Sequence, residues 1–190
     1  MNKYISCIII LYFLVSGCAP SVAELAKFEP ESIITRKSEL LKGENIPEEI
    51  VLAVINAHNN IGNNALDKGD NITAETQFNE ALKLNNNNKQ ARYGLAMISG
   101  HRFFKKGSEA ALWNALEQYS KAAFYEPTKG EAHYWIGRTY EKKDEGDFEL
   151  IIEAYQNTLK GNLPTDRLTD AEQRLNAVLK RQKTYKDFWE

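Results

Sequence analysis

Three histidines, two cysteines and a pair of carboxylates are the side chains of this sequence whose types suggest chemistry. His58, His101 and His133 invite a metal site, but their spacing defeats it: His58 and His133 fall in equivalent slots of two helical units and read as packing substitutes for an aromatic ring. Glu145 and Asp147, near a loop, read as ordinary solvated carboxylates. The sequence contains no nucleophile elbow, no phosphate-binding loop and no zinc-protease motif. The expectation is therefore a chain with no catalytic residue, no metal and no cofactor, and not an enzyme. Cys7 and Cys18 both lie at the amino-terminal end, so no internal disulfide is available to the folded part.

Whatever the chain does must then be done by surfaces, and surfaces need elements to position them. At 190 residues the prior is one domain or one short repeat array. Twenty-four Lys and Arg against 26 Asp and Glu give a net charge of −2, which favours neither nucleic acid nor an anionic membrane as an electrostatic partner. The hydrophobic period is helical throughout. His58, Ile61, Gly62 and Ala65 fall at i, i+3, i+4 and i+7; Ala74, Phe78, Ala81 and Leu82 fall at i, i+4, i+7 and i+8. Lys68-Gly69-Asp70 separates these two helices, with Gly69 suited to a left-handed helix end and Asp70 or Asn71 to capping the next.

This helix-turn-helix unit, Ile55 to Asn88, recurs twice. A second unit from about Lys89 places Leu95 and Ala96 in the slots of Ile61 and Gly62, followed by Ala115, Tyr119, Ala122 and Ala123, with Glu126-Pro127 as a stop. Its hairpin is longer than the first, which predicts one added turn on each helix and a tip, His101-Arg102-Phe103-Phe104, that projects beyond its neighbours and contacts a partner, the membrane or Trp113, with Ser108 capping the next helix. A third unit from Gly130 repeats the pattern as His133, Ile136, Gly137 and Tyr140, then Ile151, Tyr155, Thr158 and Leu159. Ile46-Pro47-Glu48-Glu49 opens the first long helix. Thr169-Asp170-Ala171-Glu172 has capping-box spacing within a final helix whose Glu172, Arg174, Lys180, Arg181 and Lys183 suit a solvent-facing cap.

The amino-terminal segment has Lys3 and then an apolar run from Cys7 to Val15, too short to span a bilayer comfortably. It ends in Val15-Ser16-Gly17-Cys18, which resembles the lipobox of bacterial lipoproteins. The resemblance implies a signal peptide over 1–17, diacylglyceryl transfer to Cys18 and acylation of the new amino terminus, with acyl chains that anchor stably. Ala19 lacks the aspartate that resembles an inner-membrane retention signal, which points to the periplasmic face of an outer membrane. Residues 18–45 then read as a lipidated tether, polar from Ala19 to Pro30, followed by a short helix carrying Ile33, Ile34, Leu40 and Leu41.

The units themselves resemble the tetratricopeptide-repeat (TPR) family, whose signature pairs W-x2-L-G-x2-Y with A-x3-F and a closing proline. The matches are His58-x2-Ile61-Gly62-x2-Ala65 with Ala74-x3-Phe78, then Ala115-x3-Tyr119 with Pro127, then His133-x2-Ile136-Gly137-x2-Tyr140. The resemblance implies an all-α array of about three helix-turn-helix units over 46–164, a capping helix and tail over 165–190, and a right-handed superhelix whose concave face is lined by first helices. Offsets from the buried stripe place Asn56, Asn59, Asn63, Gln90, Tyr93, Met97, Glu131, Tyr134 and Arg138 on that face. The expected partner is a protein or peptide of the cell envelope, held by a scaffold of the pilus, secretin or cell-wall-hydrolase kind, with the membrane reached through Cys18 and no nucleic acid involved. The alternative is a periplasmic binding protein for a small molecule or cell-wall glycan, with Tyr93 and Tyr134 as stacking surfaces.

Overall fold

The computed structural model describes residues 20–143 and 146–189. The signal segment, Cys18 and Glu145 lie outside the described residues. Among the described residues the chain is all helical: α1 (Val22–Phe28), α2 (Pro30–Thr35), α3 (Lys37–Leu40), α4 (Glu48–Asp67), α5 (Asn71–Leu84), α6 (Lys89–Lys106), α7 (Glu109–Tyr125), α8 (Gly130–Lys143), α9 (Phe148–Lys160) and α10 (Thr165–Trp189). None of these helices is long and apolar enough to cross a membrane. From α4 onward each helix packs on the next, and α4 also touches α6, so three hairpins stand side by side with α10 closing the row.

Local chemistry explains the boundaries. Asp70 Oδ1 accepts from Thr73 N at 3.1 Å and Ser108 Oγ from Ala111 N at 3.3 Å, starting α5 and α7. Gly107 ends α6 in the left-handed conformation, at φ 69°. Asn88, at the close of a run expected to be only a linker, caps α6 by accepting from Ala91 N at 2.8 Å. Ser21 and Glu24 form a reciprocal capping box, so Val22–Phe28 is a helix. Within the stretch expected to be tether, Val22 to Pro30 is thus folded, and Ala26 and the following Ile33 are buried against Ala53, Val54 and Ala57 of α4. Thr169, by contrast, lies inside α10 and its hydroxyl donates back to Thr165 O at 2.9 Å; the helix has already begun four residues earlier.

Aromatic rings set against glycines hold the hairpins together. Phe78 of α5, fully buried, lies against Gly62 of α4 and Gly94 of α6, so tightly that a Cβ at either glycine would meet its ring. Tyr155 stands against Gly137 in the same way. In the middle hairpin the notch that receives Tyr119 is at Gly100, one turn beyond the Ala96 that the pattern nominates. The apolar face continues through both positions, and ring size selects the one without a Cβ.

Candidate functional site

Residues of α4, α6, α8 and the start of α10 line a pocket of about 750 Å³. The end of α4 supplies Asn63, Leu66 and Asp67, and the turn into α5 supplies Gly69 and Asn71. Tyr93, Met97, His101 and Phe104 come from α6 at intervals of three or four residues, one stripe of one helix. Lys129, Glu131 and Trp135 come from the start of α8, and Pro164 and Arg167 from the start of α10.

Trp135 is the centre of its apolar wall. Its ring meets His101, Phe104 and Tyr134 edge-on at centroid distances of 4.7, 5.3 and 5.5 Å and stacks on Tyr119 at 6.1 Å. Its Nε1 donates to Glu131 Oε1 at 2.7 Å, and the Arg167 guanidinium donates to the same oxygen at 3.1 Å while lying over the Trp135 ring. Lys129 Nζ sits 4.3 Å above the Tyr93 ring. Burial, with a smaller push from the carboxylates of Glu131, Glu126 and Asp67, drives the Tyr93 phenol far above its ordinary pKa, so it stays neutral. The site presents a rigid aromatic wall bordered by amides and charges of both signs, which suits holding a ligand by stacking and hydrogen bonds.

Of the residues expected on the concave face, Asn63, Tyr93, Met97 and Glu131 line this pocket, and His101 and Phe104 of the expected tip join them. The tip does not project. Phe104 packs on Trp135 rather than on Trp113, Lys142 Nζ donates to Phe104 O at 3.0 Å, and Arg102 pairs with Glu75 at 3.0 Å. Phe103 lies half-buried beneath Lys106. The last turn of α8 stands beside the end of α6, with Lys142 Nζ over the Phe104 ring, and covers what would otherwise protrude.

Five expected face residues do not reach the pocket. Asn59 is buried and donates to Asn88 Oδ1 at 3.1 Å, tying α4 to the cap of α6. Asn56 and Gln90 are half-buried away from the lining. Tyr134 and Arg138 are covered by α10: the Tyr134 hydroxyl donates to Asp170 Oδ2 at 2.6 Å and accepts from Arg138 at 2.9 Å. The expected solvent-facing side of α10 is corrected by the same packing, since Arg174 and Arg181 turn inward to Glu141, at 2.9 and 3.7 Å. Burial opposes the Asp170 carboxylate, yet hydrogen bonds from Tyr134 and Arg174 together hold its pKa below the ordinary value. Lys129, Trp135 and Arg167 are the functional candidates that sequence offsets missed. Trp135 had a signal, lying one turn after Glu131; Arg167 arrives from a helix outside the three units and had none.

His101 supplies a pH dependence. Its Nδ1 shares a 2.8 Å hydrogen bond with the Tyr119 hydroxyl, and burial, then the nearby Arg167 charge, lowers its pKa from 6.5 to about 4. The unfolded chain therefore takes up this proton first as pH falls, so stability present above pH 6.5 is lost progressively towards pH 4. The loss from this group reaches roughly 3 kcal/mol at the acid end. His58 and His133, lowered mainly by burial, add to the loss in the same direction. Urea unfolding between pH 7 and 5, where carboxylates contribute little, is expected to show this slope, and His101→Gln to flatten it by the largest share.

No protein-family model matches the chain, and no curated protein matches it.

Proposed function

We propose that this chain is a lipid-anchored adaptor of the tetratricopeptide-repeat kind, tethered through Cys18 at the periplasmic face of an outer membrane, where it holds a segment of another envelope protein. What supports the reading is the pocket built by α4, α6 and α8, whose aromatic wall at Tyr93, Met97 and Trp135 is bordered by the amide of Asn63 and the charges of Lys129, Glu131 and Arg167. An extended peptide can lay side chains on the wall and offer its backbone to the border.

The pocket's volume, about 750 Å³, also lies in the range of small-molecule sites, which favours a second reading as a receptor for a small molecule or cell-wall glycan stacked on Trp135 and Tyr93. One comparison separates them. Tagged, lipidated protein is extracted gently from envelopes beside Cys18→Ala and Asn63→Trp, the last chosen because half-buried Asn63 can be enlarged to fill the pocket without opening the core. The adaptor reading expects a stoichiometric protein set that falls about tenfold or more with Asn63→Trp, equivalent to about 1.4 kcal/mol. No reproducible protein, together with binding of muropeptides that Asn63→Trp abolishes, would transfer the assignment to the second reading.

A further inference from the structure

We propose that the edge of the molecule where α4, α6, α8 and α10 end is the surface that lies on the membrane, its occupant being the bilayer that holds the acyl chains of Cys18. The proposal rests on the lipid-anchor reading and adds to it an orientation.

The first argument is reach. The chain from α1 to α3 passes down the side of α4: Asn60 Nδ2 of α4 donates to Ala26 O at 2.9 Å, whereas Lys37 pairs with Glu80 at 2.8 Å towards the far end of α5, and the chain enters α4 only at Glu48. From Asn60 to the end of α4 at Asp67 is about 10 Å of helix, and from Asn60 back to its start at Glu48 is about 18 Å. Ala26 of α1, level with Asn60, is therefore nearer this edge than the opposite one. Only Ala19, Pro20 and Ser21 separate the start of α1 at Val22 from Cys18, a reach of at most about 14 Å. So short a tether favours the nearer of the two edges as the surface against the bilayer.

The second argument is what the edge exposes. Ten large apolar side chains are exposed among the described residues, and six of them are here. Ile72 opens α5 at 83% exposure, Trp113 and Leu150 lie in the first turns of α7 and α9, and Tyr185, Phe188 and Trp189 finish α10, Phe188 at 78%. The other four are dispersed: Leu52 and Phe124 at the opposite edge, Phe28 and Leu179 along the sides. Lysines accompany the six, with Lys68, Lys105, Lys106, Lys142 and Lys186 all exposed at the ends of the same four helices. Acidic groups such as Asp67 and Glu109 stand among them, so this is not a basic field. It is a border of aromatic rings and lysine stems, the composition that suits the water-facing boundary of a bilayer.

The test uses the processed, lipidated chain on vesicles of phosphatidylethanolamine and phosphatidylglycerol. With Cys7 removed with the signal and the Cys18 thiol acylated, a single introduced cysteine is the one free thiol, so Ile72→Cys, Phe188→Cys and Phe124→Cys can each carry a nitroxide. Intact mass and flotation are read first; an unacylated chain that does not float overturns the anchor itself. In floated protein the proposal expects collisions with oxygen, relative to a water-soluble nickel complex, to be higher at 72 and 188 than at 124. Equal ratios, or a higher one at 124, overturn the orientation while leaving the anchor standing. Labels at 72 and 188 that are water-accessible on vesicles but protected in envelope extracts overturn it too, by assigning the edge to a protein.

Discussion

Phe78→Ala is expected to remove about 3–5 kcal/mol of stability, the largest single loss available in this chain by truncation of an apolar side chain. The ring is fully buried, and it is the shared filler of two interfaces, set against Gly62 within the first hairpin and Gly94 across to the second. Glycines face the hole that alanine would leave from two sides, so refilling it would require Ile55 or Ile98 to leave their own packing, or α4 and α6 to move together. The cost should therefore fall near the upper part of the range for core truncations. Urea unfolding followed by circular dichroism reads it as a lower midpoint. A lower slope, or two steps, would show in addition that the seam between the first and second hairpins has lost cooperativity. Phe124→Ala, removing an equally large but 79% exposed ring, should change stability by no more than about 0.5 kcal/mol. A loss below about 1 kcal/mol for Phe78→Ala would show that the ring is not the joint between hairpins.

The pairing of Gly62 with Phe78 was legible because both lie within one unit at helical offsets, and local periodicity reports such pairs directly. Register by a whole turn is another matter. Ala96 and Gly100 of α6 face the same side, and the hydrophobic period cannot choose between positions four residues apart. Only the size of the Tyr119 ring chooses, and that is a fact about α7. The candidate site divides along the same line. Asn63, Tyr93, Met97 and Glu131 follow from the offset of a face on its own helix, while Tyr134 and Arg138, at the same offset, are lost to α10. A helix that folds back over the face from outside the repeated pattern leaves no trace in the pattern it covers. Helix α1 was the opposite case, with Ser21 and Glu24 three apart before an apolar run, a start signal present in the sequence and outweighed by the prolines around it.

Glu141→Gln is expected to loosen α10 and, through it, the pocket. The Glu141 carboxylate, with its side chain only 15% exposed, faces the guanidiniums of Arg174, Arg181 and Arg138 at 2.9, 3.7 and 3.9 Å and accepts the Tyr155 hydroxyl at 2.7 Å. Glutamine keeps the shape and leaves the arginines without that anion, although Asp170 still holds Arg174 at 2.8 Å. Removing one partner of a buried pair costs about 3–5 kcal/mol, and because these arginines are about a third exposed the loss here should be lower, about 2 kcal/mol. It should also be local. Amide exchange in α10 is expected to quicken while that of α4 and α5 holds, and because Arg167 closes the pocket from α10, ligand binding should weaken with it. Glu117→Gln, which breaks an exposed pair with Lys121 one turn away, should cost about 0.5 kcal/mol or less. Unchanged exchange in α10 would refute the role given to Glu141. The double variant Glu141→Gln, Arg174→Gln then tells which physics operates. If uncompensated charge is what costs, removing one of the stranded cations restores part of the stability; if the hydrogen-bond geometry of the junction is what matters, the second substitution makes the loss greater.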